Sequence, residues 1–326
     1  MLMFVLLPKT FVFEWYTTGL FPLIRSVIDS VSQLIPIPFL YFLIGLLLFL
    51  FSRFCLTVIR TKASFKLKAK LVLASTLNNL LAIMILFYWL WGFNYASKSF
   101  FNYNGLEMHP VSIDWVEEEY FRVLDTLNTL STEVKEENWE GLETDVLDEL
   151  LTSFLDIYYV NASLDPVVKE IAPMGFLLRC GAQGIYLPWT GQGQIDAGLH
   201  DLQKPFTYLH EMSHCYGLTN EGECNFIAFQ VAIRCTDPYV RYSAYLSYWR
   251  YLARQMLLIG CHDKDLMNSA LQSDLLAIYE NYDKYPDFFP RFRVKSYDLY
   301  LKVQGVEEGL KSYSEIIMMN YIWSQR

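Results

Sequence analysis

The pentapeptide His210-Glu211-Met212-Ser213-His214 contains the residue types of this chain that are best suited to chemistry. Side chains four residues apart lie on one face of an α-helix, so both imidazoles could bind one metal ion. Glu211 lies beside them and could accept a proton from a water molecule on that metal. Zinc lowers the pKa of such a water and polarises a carbonyl group under attack. The spacing therefore predicts a hydrolytic zinc site with His210 and His214 as metal ligands and Glu211 as the general base.

A catalytic zinc ion needs a third protein ligand, because three ligands leave one position open for water. A tight turn at Gly217 would reverse the chain, and a second helix beginning near Asn220 could return past the metal. This helix offers two carboxylates, Glu221 and Glu223. Glu223 has a competing explanation, since with Asn220 as N-cap it could close a capping box. We favour Glu221 as the third ligand and keep Glu223 as the alternative, whereas Asn220 itself is a poor zinc ligand.

The motif requires a helix, and the sequence predicts one from Pro205 to Tyr216, with proline in its first turn and Gly217 at its end. The glycine-punctuated segment 175–191 contains short β-type runs that predict a hairpin or edge strands. The predicted fold class is mainly α with a small β-sheet, an α+β domain behind two transmembrane helices. Apolar residues at helical spacing predict further helices at 112–135, 139–157, 220–234, 239–258, 263–282 and 294–323.

Two apolar stretches without charged residues precede this domain. One runs from about Ile35 to Phe51, and the other lies between Lys70 and Lys98. Each is close to the ~20 apolar residues that cross a ~30 Å hydrocarbon layer. The segment between them carries six Lys or Arg residues and no acid, which predicts a cytoplasmic loop. In a bacterium, the protein is then a multi-pass protein of the inner (cytoplasmic) membrane, with everything after Ser97 on the periplasmic side.

The distribution of charge supports three regions. Of the 26 basic and 35 acidic residues, only eight basic and two acidic ones precede Ser97, so 97–326 is strongly acidic. An acidic domain should repel the phosphate backbone of nucleic acid. The two apolar stretches predict the lipid bilayer as a partner. Residues 1–34 are predicted to form an amphipathic segment that lies on the membrane or against the domain. Residues 35–96 form the predicted two-helix anchor, and residues 97–326 form the predicted catalytic domain. The sequence does not predict an oligomeric state.

Several further segments resemble an uncharacterised family of membrane zincins from Bacteroidetes, domain of unknown function 3810 (DUF3810). The resemblance implies a zincin-like metallopeptidase domain and covers most of the chain in the same order. Zincins with a glutamate ligand often carry Glu-x-x-(Ala/Cys)-(Asp/Asn) after the metal helix, and residues 221–225 fit this pattern, which implies that Asn225 orients a ligand histidine. The matching segments are EWYTTGLFP (14–22), Pro36–Phe39, YLPWTG (186–191), HEMSHCYG (210–217), EGECNF (221–226) and RYSAY (241–245).

Together these observations predict a zinc-dependent peptidase that acts on a peptide or protein substrate outside the membrane. The segment Ile185–Gly191 is the predicted strand for binding the substrate backbone, and Tyr239, Tyr242 and His262 are possible oxyanion donors, although packing roles are favoured for all three. The alternatives are a non-catalytic scaffold or sensor that binds zinc, and a zinc amidase for a non-peptide envelope substrate. An intramembrane protease is disfavoured, because polar residues flank the motif on both sides.

Overall fold

The computed structural model describes residues 8–134, 139–160, 164–258, 266–304 and 315–326. It is mainly α-helical with one small sheet, as the sequence predicts. A π-helical segment, Phe13–Leu20, joins the first two helices. The helices are α1 (Lys9–Val12), α2 (Phe21–Leu34), α3 (Phe39–Arg60), α4 (Phe65–Leu90), α5 (Phe100–Tyr103), α6 (Ile113–Glu133), α7 (Thr144–Tyr158), α8 (Lys204–Cys215), α9 (Glu221–Ala232), α10 (Pro238–Leu258), α11 (Ser269–Asp283), α12 (Pro290–Val303) and α13 (Ile316–Ser324). The strands are β1 (Val168–Ile171), β2 (Gly184–Leu187) and β3 (Gln192–Asp196).

Helices α3 and α4 are both long and apolar enough to cross a membrane. The rest of the protein covers almost none of their most apolar windows, 0% and 6% respectively. Helix α3 begins at Phe39 and not at Ile35, because Pro36 and Pro38 hold the preceding backbone extended. The predicted basic loop is also shorter than expected. It is reduced to residues 61–64, and most of its Lys and Arg residues extend the ends of the two helices.

The N-terminal helical segment lies against the domain. Its polar side chains point inward, since Arg25 and Asp29 are buried and form an ion pair. Arg25 also donates hydrogen bonds to the hydroxyl of Tyr186 and to the carbonyl of Gly191, next to the β2–β3 turn. A buried charge is tolerated only when it is paired and hydrogen-bonded, and the turn supplies those acceptors. The amphipathic helix predicted from sequence is therefore present, with its polar face on the protein.

The sheet has the strand order β1-β3-β2. β1 runs parallel to β3, with Val168 opposite Gly193, and β2 runs antiparallel to β3, with Gly184 opposite Ile195. Within the predicted segment 175–191 only β2 is a strand, and the hairpin that it forms with β3 ends beyond this segment. β2 pairs with β3 on one side only, so among the described residues its other side is an open edge.

Helix α8 lies at the centre of the domain. It packs on all three strands on one side and on α9, α7 and α10 on the others. All twelve of its residues are buried, including the apolar Leu209 and Met212. Burying such a side chain contributes about 1.5–3 kcal/mol. Because neighbours hold α8 from every side, the residues it carries have well-defined positions.

The helices at the C-terminal end differ most from expectation. The single helix predicted at 294–323 is two helices, α12 and α13, and residues 305–314 between them lie outside the described residues. The predicted start of the helix at 263 is likewise outside the description, while α11 begins at Ser269 after Asn268, which accepts a hydrogen bond from Leu271 N.

Candidate metal centre

The turn after α8 reverses the chain at a glycine, as predicted. Gly217 has a φ angle of +89°, which side chains of L-residues rarely adopt. A Cβ atom here would also lie 3.0 Å from side-chain atoms of Asn94 and Phe21. Its N–H donates to the carbonyl of His214 at 3.0 Å, which ends the helix. The glycine therefore allows α9 to run back along α8.

The return of the chain brings Glu221 to the two histidines of α8. Its Oε2 atom lies 3.1 Å from His210 Nε2 and 3.3 Å from His214 Nε2. One ligand atom from each residue lies within 4.8 Å of the other two, and all three side chains are buried. A tetrahedral ion with ligand bonds of about 2.1 Å holds its ligands about 3.4 Å apart. The residues present therefore fit a zinc ion, by donor type and by spacing.

The charge state of Glu221 suits a metal ligand. Burial raises the pKa of its carboxyl group, but the charge of His214 and hydrogen bonds with both histidines outweigh burial and hold this pKa well below its usual range. Glu221 is therefore ionised at neutral pH. An anionic carboxylate and two imidazoles form one of the ligand sets that catalytic zinc uses in proteins.

His214 is oriented by a backbone carbonyl. Its Nδ1 atom lies 2.8 Å from the carbonyl oxygen of Leu218, which can only accept, so Nδ1 carries the proton and donates. Nε2 faces Glu221, and once it gives up its proton its lone pair is free to bind a metal there. The described hydrogen bond of the Asn225 side chain is to the Tyr251 hydroxyl, at 3.1 Å. The role implied for Asn225 stays a prediction.

Glu211 lies on the side of α8 that faces the sheet. A Cβ atom on Gly184 would lie 2.6 Å from both Cγ and Oε1 of Glu211, so this strand has room for the carboxylate only because it carries glycine. Burial raises the pKa of Glu211 to about 7, although the charges of His210 and His214 oppose the shift. Its Oε2 atom is buried and has no hydrogen-bond partner among the described residues. Glu211 is thus placed beside the two histidines, without a structural hydrogen bond at that atom.

Glu223, the alternative ligand, points to a different part of the protein. Its carboxylate accepts hydrogen bonds from the N–H groups of Phe100 at 3.0 Å and Phe101 at 2.9 Å. It therefore caps the N-terminus of α5. Asn220 is the N-cap of α9, as predicted, and its side chain accepts from Glu223 N at 2.9 Å. Only half of the expected capping box is described, because the Glu223 side chain binds α5.

Two of the possible oxyanion donors are engaged elsewhere. Tyr239 donates to the carbonyl of Asp201 at 2.7 Å, and Tyr242 donates to Asp274 at 2.6 Å. Both contacts support the packing role that the sequence favoured. The third residue, His262, lies outside the described residues.

Two aromatic residues near the triad were not identified from sequence. Trp91, one residue beyond α4, donates from Nε1 to the carbonyl of His214 at 3.1 Å. The hydroxyl of Tyr300 on α12 lies 3.2 Å from that of Tyr95. Burial raises the pKa of Tyr300, and charges on Glu221 and His214 also act on it. Both residues are far from the motif along the chain, so no local pattern could connect them with it.

Comparison with known proteins identifies a family for this chain. The family model described as "Protein of unknown function (DUF3810)" matches residues 16–321, and the chain belongs to this family. No curated protein and no solved structure matches the chain.

Proposed function

We propose that this protein is a membrane-anchored zinc metallopeptidase. The observation that supports the proposal best is the convergence of His210, His214 and Glu221 within 4.8 Å of one another. The neighbouring carboxylate of Glu211 is the second part of the argument, because a purely structural zinc site has no need of a base there.

Each residue has a distinct part in the proposed reaction. His210, His214 and Glu221 would hold zinc, which when bound lowers the pKa of a coordinated water and polarises the substrate carbonyl. Glu211 would accept the proton from the attacking water and pass it to the leaving nitrogen. Burial raises the pKa of its carboxyl group, which makes it a better proton acceptor than an exposed carboxylate. The hydrogen bond from His214 to Leu218 keeps that ligand in the required tautomer.

The open edge of β2 is the proposed site for the substrate backbone. An extended peptide can add to a sheet edge through main-chain hydrogen bonds. β2 also contains Gly184, whose position against Glu211 would bring such a peptide close to the proposed base. The three ligand side chains are buried, with exposed fractions of only 7–11%.

Helices α3 and α4 are the proposed membrane anchor. The Lys and Arg residues at their joined ends favour a cytoplasmic position for residues 61–64. The metal centre, which follows α4 in the chain, would then lie on the periplasmic side of the inner membrane. This orientation can be checked by the accessibility of tags at the two ends of α4 in intact cells.

The test is a metal analysis of the purified full-length chain, followed by a screen for peptide cleavage. We expect about one tightly bound zinc per chain and cleavage that is lost in Glu211→Gln while the zinc stays bound. Zinc binding with no activity that depends on Glu211 would favour the scaffold or amidase alternatives. A folded chain without zinc or a related metal would refute the proposal.

A further inference from the structure

The outer face of α2 is apolar, in contrast to its inner face. Four large side chains at helical spacing point away from the protein, and their exposed fractions range from 45% to 81%: Leu23, Val27, Val31 and Leu34. The only charged residues between Trp15 and Leu34 are Arg25 and Asp29, and both are buried. A helix exposed to water normally has the opposite arrangement, with its charges outside.

The exposed polar side chains of this segment also have partners within the protein. Ser26 donates to the carbonyl of Leu23 at 2.9 Å, and Ser30 donates to that of Ser26 at 2.7 Å. Thr18 likewise donates to a carbonyl one turn earlier, and the Gln33 amide donates to Asp165. A hydroxyl in water has no need of such a bond, whereas one in hydrocarbon is costly without it. The hydroxyls of this face therefore meet the requirement that lipid would impose.

Helix α2 also connects the ends of the two apolar helices. Just before it, Tyr16 donates to the carbonyl of Trp89 at 2.8 Å, and the ring of Trp15 lies 6.5 Å from the ring of Trp89, near the end of α4. After it, residues 35–38 lead directly into α3, where the Phe39 N–H donates to Gln192 at 2.7 Å. The two ends of the α2 segment are thus attached next to the ends of α3 and α4 that adjoin the domain.

We propose that the outer face of α2, formed by Leu23, Val27, Val31 and Leu34, lies on the lipid bilayer and holds the metal centre at the membrane surface. The inference rests on the proposed membrane anchoring by α3 and α4. The link to the metal centre is Trp91, which follows α4 directly and donates to the carbonyl of the ligand His214. Arg25, which bonds to Gly191 from the inner face of α2, fixes the sheet to the same surface. A substrate would then reach the triad close to the bilayer.

The experiment measures collision rates of spin labels with oxygen, which concentrates in lipid, and with a water-soluble nickel chelate. Labels are attached to p-acetylphenylalanine, placed one at a time in the full-length chain in phospholipid nanodiscs, so that native cysteines stay unchanged. The test positions are Val27 and Val31. Leu47 in α3 and Leu80 in α4 report the anchor. Ile157 is the matched control, a helical apolar residue that is 70% exposed, against 66% for Val27.

We expect the ratio of oxygen to nickel collisions at Val27 and Val31 to resemble that at Leu47 and Leu80 and to exceed that at Ile157 several-fold. A ratio equal to that of Ile157 would show a water-facing surface and overturn the inference while leaving the anchor intact. Immobilised labels with dipolar broadening between chains would show a second copy on this face, which also overturns it. If Leu47 and Leu80 were themselves accessible to nickel, the membrane anchoring would fail together with the inference.

Discussion

Exchanging Glu221 and Glu223 separately for glutamine should give two different phenotypes. The carboxylate of Glu221 lies 3.1 Å and 3.3 Å from the Nε2 atoms of the two histidines. The carboxylate of Glu223 instead accepts two backbone hydrogen bonds at the start of α5. We expect Glu221→Gln to remove zinc from a folded protein, and Glu223→Gln to keep zinc in a less stable one.

The magnitudes follow from the contacts. Changing a residue that only supports a metal ligand weakens binding about 10–100-fold, so loss of the anionic ligand Glu221 should cost at least ~100-fold in zinc affinity. Hydrogen bonds to a charged group contribute about 1.5–3 kcal/mol, and Glu223→Gln removes the charge while keeping one acceptor. In a domain of this size, 1 kcal/mol corresponds to roughly 2–4 °C, so Tm should fall by about 3–12 °C.

The assay combines zinc content after dialysis against a weak chelator with thermal unfolding of the full-length chain in detergent. Both variants have the same charge change and lie two residues apart, so each serves as the control for the other. Zinc loss chiefly in Glu223→Gln would refute the assignment of Glu221. Equal zinc loss in both variants, with equal losses of Tm, would mean that the metal depends on general stability and not on a specific ligand.

Three further changes test the surroundings of the site. Gly184→Ala should lower peptidase turnover while zinc stays bound, because the added Cβ would lie 2.6 Å from the Glu211 carboxylate; unchanged turnover would contradict the proposed contact. Burial raises the pKa of Asp29 to about 7, so above pH 8 it is the counter-charge of buried Arg25. Asp29→Asn should therefore destabilise the protein by about 3–5 kcal/mol in thermal unfolding above pH 8, and an unchanged Tm would argue against this ion pair. Burial raises the pKa of Asp148 to about 6, so between pH 4 and 6 the native state holds a proton that the unfolded state releases. The stability of the wild type relative to Asp148→Asn should therefore fall as pH rises through this window, which unfolding of both proteins at pH 4 and pH 7 would detect; an unchanged difference would contradict the raised pKa.

Local patterns predicted much of the structure. The spacing of His210 and His214, with proline before and glycine after, predicted the helix that carries them, because all of these preferences act within a few residues. The two long apolar stretches predicted α3 and α4 for the same reason. Boundaries were less accurate where prolines interrupt a periodic pattern, as before Phe39, and between α12 and α13.

The choice between Glu221 and Glu223 required the tertiary structure. Residues two apart on a helix point in nearly opposite directions, so only one of them can face α8. Which one does so depends on how α9 packs, and α5, some 120 residues earlier in the chain, binds the other. The sequence therefore determined that a carboxylate was available at this point, and the packing of α9 between α8 and α5 decided which one lies beside the two histidines.

The orientation of α2 has a similar explanation. Its sequence determined that the helix is amphipathic, with Arg25 and Asp29 on one face. It could not determine whether water or protein would receive those charges. The β2–β3 turn, more than 160 residues later, offers the Gly191 carbonyl and the Tyr186 hydroxyl, and these acceptors turn the polar face inward. A pattern along the chain specifies which side chains share a face, whereas the surroundings of that face depend on contacts between distant segments that form only when the protein folds.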